Sequence, residues 1–106
     1  MAGLRESIET MIGNIDVYCD LLTIEDREKA ASFKESMQEN FTALINAMLG
    51  LYDRPEYSDV KEDKAYWINQ RQRICDALDS EDIFFTIDVL RNETAENFKL
   101  YLKMLG

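Results

Sequence analysis

The sequence predicts an all-α protein, an up-down-up-down bundle of four helices. Apolar residues recur at the 3.6-residue spacing of amphipathic helices along nearly the whole chain. Helix breakers are scarce, because Pro55 is the single proline and only Gly13 and Gly50 lie between the chain ends. With 106 residues, 46% of them hydrophobic, the chain suffices for one packed core, and residues 1–106 are predicted to form a single domain.

The first two helices are predicted over residues 3–22 and 24–52. Thr23 is expected to cap the second helix, with Glu25 and Asp26 placing negative charge in its first turn. The apolar face of the first helix comprises Leu4, Ile8, Met11, Ile12, Ile15, Tyr18, Cys19 and Leu22. That of the second comprises Ala30, Phe33, Met37, Phe41, Leu44, Ile45 and Met48, and Leu51 and Tyr52 extend it.

A break is predicted over residues 53–58, because Pro55 disfavours helical geometry in the residue before it. Ser58 or Asp59 then caps a third helix, 59–78, and residues 79–82 form a tight turn into the last helix, 81–105. The third helix has an apolar face of Val60, Trp67, Ile68, Ile74, Cys75 and Leu78. The last helix has one of Ile83, Phe84, Ile87, Leu90, Phe98, Tyr101, Leu102 and Leu105.

Residues 83–90 are rich in strand-forming side chains. A lone strand would leave its backbone groups unpaired, and no second strand is predicted, so a helix is favoured here. The last helix is predicted to be continuous. This continuous helix is either straight or bent near residues 92–94. The alternative is a restart there, with Thr94 as the cap of a new helix.

The charge balance excludes several classes of function. Twenty-one acidic and twelve basic residues give a net charge of −9, which disfavours binding to nucleic acid or to an anionic membrane. The chain begins without a signal-like segment and has no apolar run long enough to span a bilayer, so a cytoplasmic location is expected.

The absence of histidine argues against zinc binding and against histidine-assisted nucleophilic catalysis, and no cofactor is expected. The two cysteines, Cys19 and Cys75, are predicted to be buried, unreactive thiols.

One charged residue interrupts an apolar face, because Arg71 falls within that of the third helix. In an antiparallel hairpin turning near residue 79, Arg71 and Asp88 lie at the same height, and an Arg71–Asp88 ion pair is predicted. By the same count Lys64 lies opposite Glu93 or Glu96. These residues form either an architectural salt bridge or a polar pocket that receives a ligand or a peptide terminus.

The last helix also carries apolar residues on its far side, namely Phe85, Val89, Leu100 and Met104. A helix that is apolar on two sides normally has a second surface to bury against. Val17 and Leu21 of the first helix are expected to extend this patch. The patch is predicted to be covered by a second copy of the chain in a homodimer or by another protein. Scattered exposed residues without a partner are the alternative.

These features predict a small cytosolic protein-interaction module, adaptor-like, immunity-like or chaperone-like, that self-associates through its last helix. The alternative is an Mg²⁺-dependent all-α nucleotide pyrophosphohydrolase, because Mg²⁺ needs only oxygen ligands. Its candidate ligands would be the carboxylates of three groups: Glu25, Asp26 and Glu28; Glu35 and Glu39; and Glu81, Asp82 and Asp88.

Overall fold

The computed structural model describes residues 3–106, and this part of the chain is all-α, without a strand. Residues 83–90, the stretch rich in strand formers, are helical. The helices are α1 (Leu4–Thr23), α2 (Arg27–Leu51), α3 (Asp63–Asp79), α4 (Ile83–Ile87) and α5 (Ala95–Leu105). A 3₁₀ segment, Pro55–Val60, precedes α3, and a π-helical segment, Asp88–Thr94, joins α4 to α5.

The turn between α1 and α2 differs from the prediction. Thr23 ends α1, and its hydroxyl donates to the Cys19 carbonyl at 2.8 Å instead of capping α2. Glu25 takes a left-handed conformation, φ 60°. Asp26 is the cap, because its carboxylate accepts from the Lys29 amide at 3.2 Å. The second helix therefore begins at Arg27, three residues later than expected.

The start of the third helix was also predicted too early. Ser58 and Asp59 belong to the 3₁₀ segment that follows Arg54, and α3 begins only at Asp63. Pro55 opens the 3₁₀ segment, where its missing amide hydrogen is not needed.

The last helical stretch is unbroken from Ile83 to Leu105, as predicted, but its middle is π-helical. A π turn holds more residues than an α turn. Side chains of α4 and α5 therefore do not share one 100° periodicity. At its start, the Asp82 carboxylate accepts from the amides of Phe84 and Phe85 at 3.0 and 3.3 Å.

Each helix packs against its neighbours in sequence, and the last helical stretch also packs against α1. Two side-chain hydrogen bonds show how α2 and α3 are aligned. Gln38 bonds Asp79 at 3.5 Å and Asn46 bonds Arg71 at 2.7 Å, so these two helices are antiparallel. At the other side of the molecule, Arg5 of α1 donates to the carbonyl oxygens of Leu102 and Gly106.

The core lies between these helices and contains an aromatic stack. The ring centroids of Trp67 and Phe98 are 5.3 Å apart, and those of Phe98 and Phe41 are 6.2 Å apart. Tyr101 is buried beside Trp67 and donates its hydroxyl to the Met48 carbonyl at 3.0 Å. Most residues of the predicted faces of α1 and α2 are buried in this core.

Candidate protein-interaction surface

The predicted Arg71–Asp88 ion pair is absent. Arg71 donates to the side-chain oxygen of Asn46 on α2 at 2.7 Å, and Asp88 accepts from Asn92 within its own helical turn. The Arg71 side chain therefore points toward α2, whereas its expected partner, Asp88, belongs to the last helical stretch. The predicted register was also wrong, because the bonds of Gln70 to Thr94 and of Arg73 to Glu93 place Arg71 at the height of residues 93–94 and not at that of Asp88.

The charges that join α3 to the π-helical segment are Arg73 and Glu93. The Arg73 Nε lies 3.0 and 2.9 Å from the two Glu93 carboxylate oxygens. Lys64 bonds Asp53 at 2.8 Å, so its predicted pairing with Glu93 or Glu96 is wrong. The partner of Glu93 on α3 is Arg73, nine residues after Lys64.

A chain of polar side chains, buried at Gln70 and Thr94, takes the place of the predicted polar pocket between α3 and the last helical stretch. Gln70 donates to the Thr94 hydroxyl at 2.9 Å and accepts from Asn97 at 2.9 Å. Asn97 also donates to the Tyr66 hydroxyl oxygen at 2.8 Å. Within residues 3–106, every buried side-chain nitrogen and oxygen has a hydrogen-bond partner. This chain of hydrogen bonds is thus complete without a ligand.

The predicted interface strip does not form one surface. Val89 is only 1% exposed and belongs to the core, so its assignment to a partner surface was wrong. Phe85 and Leu100 are exposed at opposite ends of the last helical stretch. The Arg73–Glu93 pair and the Asn97–Tyr66 hydrogen bond lie between them.

The other three predicted interface residues are dispersed. Met104 is half-buried near Leu100. Val17 is exposed on α1 and Leu21 is half-buried. They follow Asn14 by three and seven residues, on the side of α1 that faces α2. Leu21 lines a small cavity beside Ile83, so it lies at the opposite end of the last helical stretch from Leu100 and Met104.

Of the eight large apolar residues that are exposed within residues 3–106, four lie at one end of the molecule, including the two most exposed. We call this end the apolar end: Ile24, Ile83, Phe84 and Phe85. Their exposed fractions are 69%, 37%, 85% and 36%, respectively. Ile83 lines a cavity of about 40 Å³ together with Leu21, Leu22 and Glu25 of the α1–α2 turn. The start of α4 and the α1–α2 turn thus meet at this end.

Sequence periodicity placed Ile83 and Phe84 in the core, and that prediction was wrong. Between residues 83 and 90 the buried residues are Thr86, Val89 and Leu90. Phe84 lies on the other side of the helix from them, and Ile83 lies at the end of their face. The hydroxyl of Thr86 donates to the Ala77 carbonyl at 2.8 Å and fixes this orientation.

Other features lie away from the apolar end. A groove of about 520 Å³ runs between α1 and α2, and of the described residues that line it only Glu6 is charged. Cys75 is exposed, contrary to the prediction, whereas Cys19 is buried, which raises the pKa of its thiol to about 11. Tyr52 is buried too, and burial raises its pKa to about 12.

The carboxylates proposed for Mg²⁺ do not converge. Among the described residues, no group of three or more His, Cys, Asp or Glu side chains is placed to hold a metal ion. Glu35 and Glu39 are exposed on α2, and Asp82 is engaged as a helix cap. In the same part of the chain, no helix is long and apolar enough to cross a membrane.

Comparison of the chain with protein-family models, with curated proteins and with solved structures gives no match. The site must therefore be interpreted from its own geometry.

Proposed function

We propose that this protein is a small cytoplasmic protein-interaction module, built as an up-down-up-down four-helix bundle, that binds a protein partner through the apolar end. The exposure of Phe84, 85% for a phenylalanine side chain, carries this proposal. Large aromatic side chains are enriched at the centres of protein interfaces, where burying one side chain contributes much of the affinity.

The apolar end suits binding because its aromatic residues are held on a fixed backbone. The Asp82 cap bonds the amides of both phenylalanines, and Thr86 anchors the same helical turn to α3. A partner would therefore meet aromatic groups whose backbone is already ordered, which lowers the entropy lost on binding.

Self-association through the last helix has weaker support than the sequence suggested. Val89 is buried, and the Arg73–Glu93 pair interrupts the strip that was to pack against a second copy. The apolar end does not need this strip, because its exposed groups come from the α1–α2 turn and the first turn of α4.

Site-specific photocrosslinking tests the proposal. A photoreactive phenylalanine analogue at position 84 is expected to give a discrete crosslinked species in extract from native cells. The matched control places the analogue at Tyr66, an aromatic residue 49% exposed on α3. Equal crosslinking from both positions, or none from position 84, would contradict the proposal.

A further inference from the structure

The acidic charge of this chain is concentrated around the apolar end. The segments 20–29 and 79–88 meet there and contain two basic residues, Arg27 and Lys29. They contain eight acidic residues, all exposed except the half-buried Asp26: Asp20, Glu25, Asp26, Glu28, Asp79, Glu81, Asp82 and Asp88. These two segments therefore carry −6 of the net charge of −9, in twenty of the 106 residues.

Few of these acids are neutralised by neighbouring cations. Asp26 lies 3.9 Å from Lys29, and Asp20 lies 3.1 Å from Arg91. Among the salt bridges of residues 3–106, none involves Glu25, Glu28 or Glu81. Exposed carboxylates thus lie on both of the segments that form the apolar end.

From this arrangement, and resting on the proposed function, we infer that the occupant of the apolar end is a cationic amphipathic segment of a partner protein. Its apolar side would cover Phe84 and Ile83, and its Lys or Arg side chains would lie against Glu25 and Glu81. Complementary charge at an interface rim speeds association and selects among partners.

The same arrangement disfavours a second copy as the occupant. Two copies that met through this end would bring sixteen carboxylates together with only Arg27 and Lys29 of each copy to balance them. Juxtaposed like charges at an interface cost several kcal/mol. A partner with excess positive charge avoids this repulsion.

The test measures binding of two fluorescent amphipathic peptides, one of Leu and Lys and one of Leu and Glu, by fluorescence anisotropy. The Lys peptide is expected to bind and the Glu peptide is not. Phe84→Ser should weaken binding at least about tenfold. Leu100→Ser, which changes an apolar residue 60% exposed elsewhere, should not. Added salt should weaken the binding as it screens the charges.

A pair of neutralising variants tests where the attraction originates. Glu25→Gln with Glu81→Gln should weaken binding of the Lys peptide. Glu35→Gln with Glu39→Gln, which changes the net charge equally on α2, should have little effect. Equal weakening by both pairs, or binding that is insensitive to Phe84→Ser, would show unspecific attraction to an acidic protein and overturn the inference.

Sedimentation velocity of the protein alone tests whether a second copy of the chain occupies the apolar end. The protein alone is expected to sediment as a monomer of 12.4 kDa, which leaves the apolar end free to bind the Lys peptide. A dimer that Phe84→Ser dissociates would show that a second copy fills the apolar end, and would overturn the inference. Crosslinking at position 84 to a partner without a cationic amphipathic segment would overturn it as well, while leaving the proposed function intact.

Discussion

The side-chain amide of Gln70 donates to the hydroxyl of Thr94 across a distance of 2.9 Å, and neither side chain is more than 1% exposed. This bond joins the middle of α3 to the last residue of the π-helical segment. Asn97 completes the environment of Gln70 by donating to its amide oxygen. The last residue of the π-helical segment is therefore held to α3 by a buried hydrogen bond.

Thr94→Val is expected to destabilise the protein by about 1–3 kcal/mol, because it leaves the buried Gln70 amide nitrogen without an acceptor. Combining it with Gln70→Leu should cost less than the sum of the single changes, since the unpaired group is then gone. Urea denaturation of the four proteins measures this coupling. Strict additivity would show that the hydrogen bond does not link the two residues.

Truncating Val89 is expected to lower the free energy of unfolding more than truncating Phe84. The sequence, which placed Phe84 in the core and Val89 on the surface, predicted the reverse. Val89→Ala removes two buried methylene equivalents at about 0.8 kcal/mol each, and leaves a cavity besides. Phe84→Ala removes an exposed ring and should change the free energy of unfolding by less than about 0.5 kcal/mol. Chemical denaturation compares the two variants. A larger loss for Phe84→Ala would place Phe84 in the core and remove the basis of the apolar end.

The pairing of Arg73 with Glu93 can be tested by charge exchange. Arg73→Glu is expected to lower the melting temperature, because two carboxylates then face each other, and adding Glu93→Arg should restore part of the loss. The matched exchange, Arg71→Asp with Asp88→Arg, should show no such rescue. Thermal denaturation followed by circular dichroism gives both comparisons. Rescue in the second pair alone would restore the pairing that the sequence suggested.

The two cysteines are expected to react at very different rates. Cys75 is exposed, whereas Cys19 is buried and has a raised pKa of about 11, so little reactive thiolate forms at neutral pH. A disulfide reagent should therefore label one thiol rapidly in the folded protein, and Cys75→Ser should abolish that phase. Denaturant should expose the second thiol. Two fast thiols in the native protein would contradict the burial of Cys19.

Alkaline pH is expected to destabilise the fold. Burial raises the pKa of Cys19 from 9.0 to about 11 and that of Tyr52 from 10.0 to about 12. Both groups ionise more readily in the unfolded chain, so stability is full below pH 9.0 and falls as pH rises toward those values. Denaturation midpoints measured across this range test the sign. Cys19→Ala should reduce the slope between 9.0 and about 11.

The sequence by itself determined the helical nature of the chain. Apolar residues at helical spacing give each segment one face to bury, and this depends only on local geometry. The stripes of α1 and α2 were predicted correctly for the same reason. Pro55 marked the long connection because its constraint on the backbone is also local.

Tertiary structure alone decided which side of α4 faces the core and which charges pair. The π-helical segment shifts the angular positions of side chains along the last helical stretch, so Val89 is buried and Phe84 is exposed, although a single 100° periodicity predicted otherwise. The partners of Arg71 and Glu93 depend on how α3 is rotated between α2 and the last stretch. That rotation is a property of the packed helices together, and no single helix encodes it.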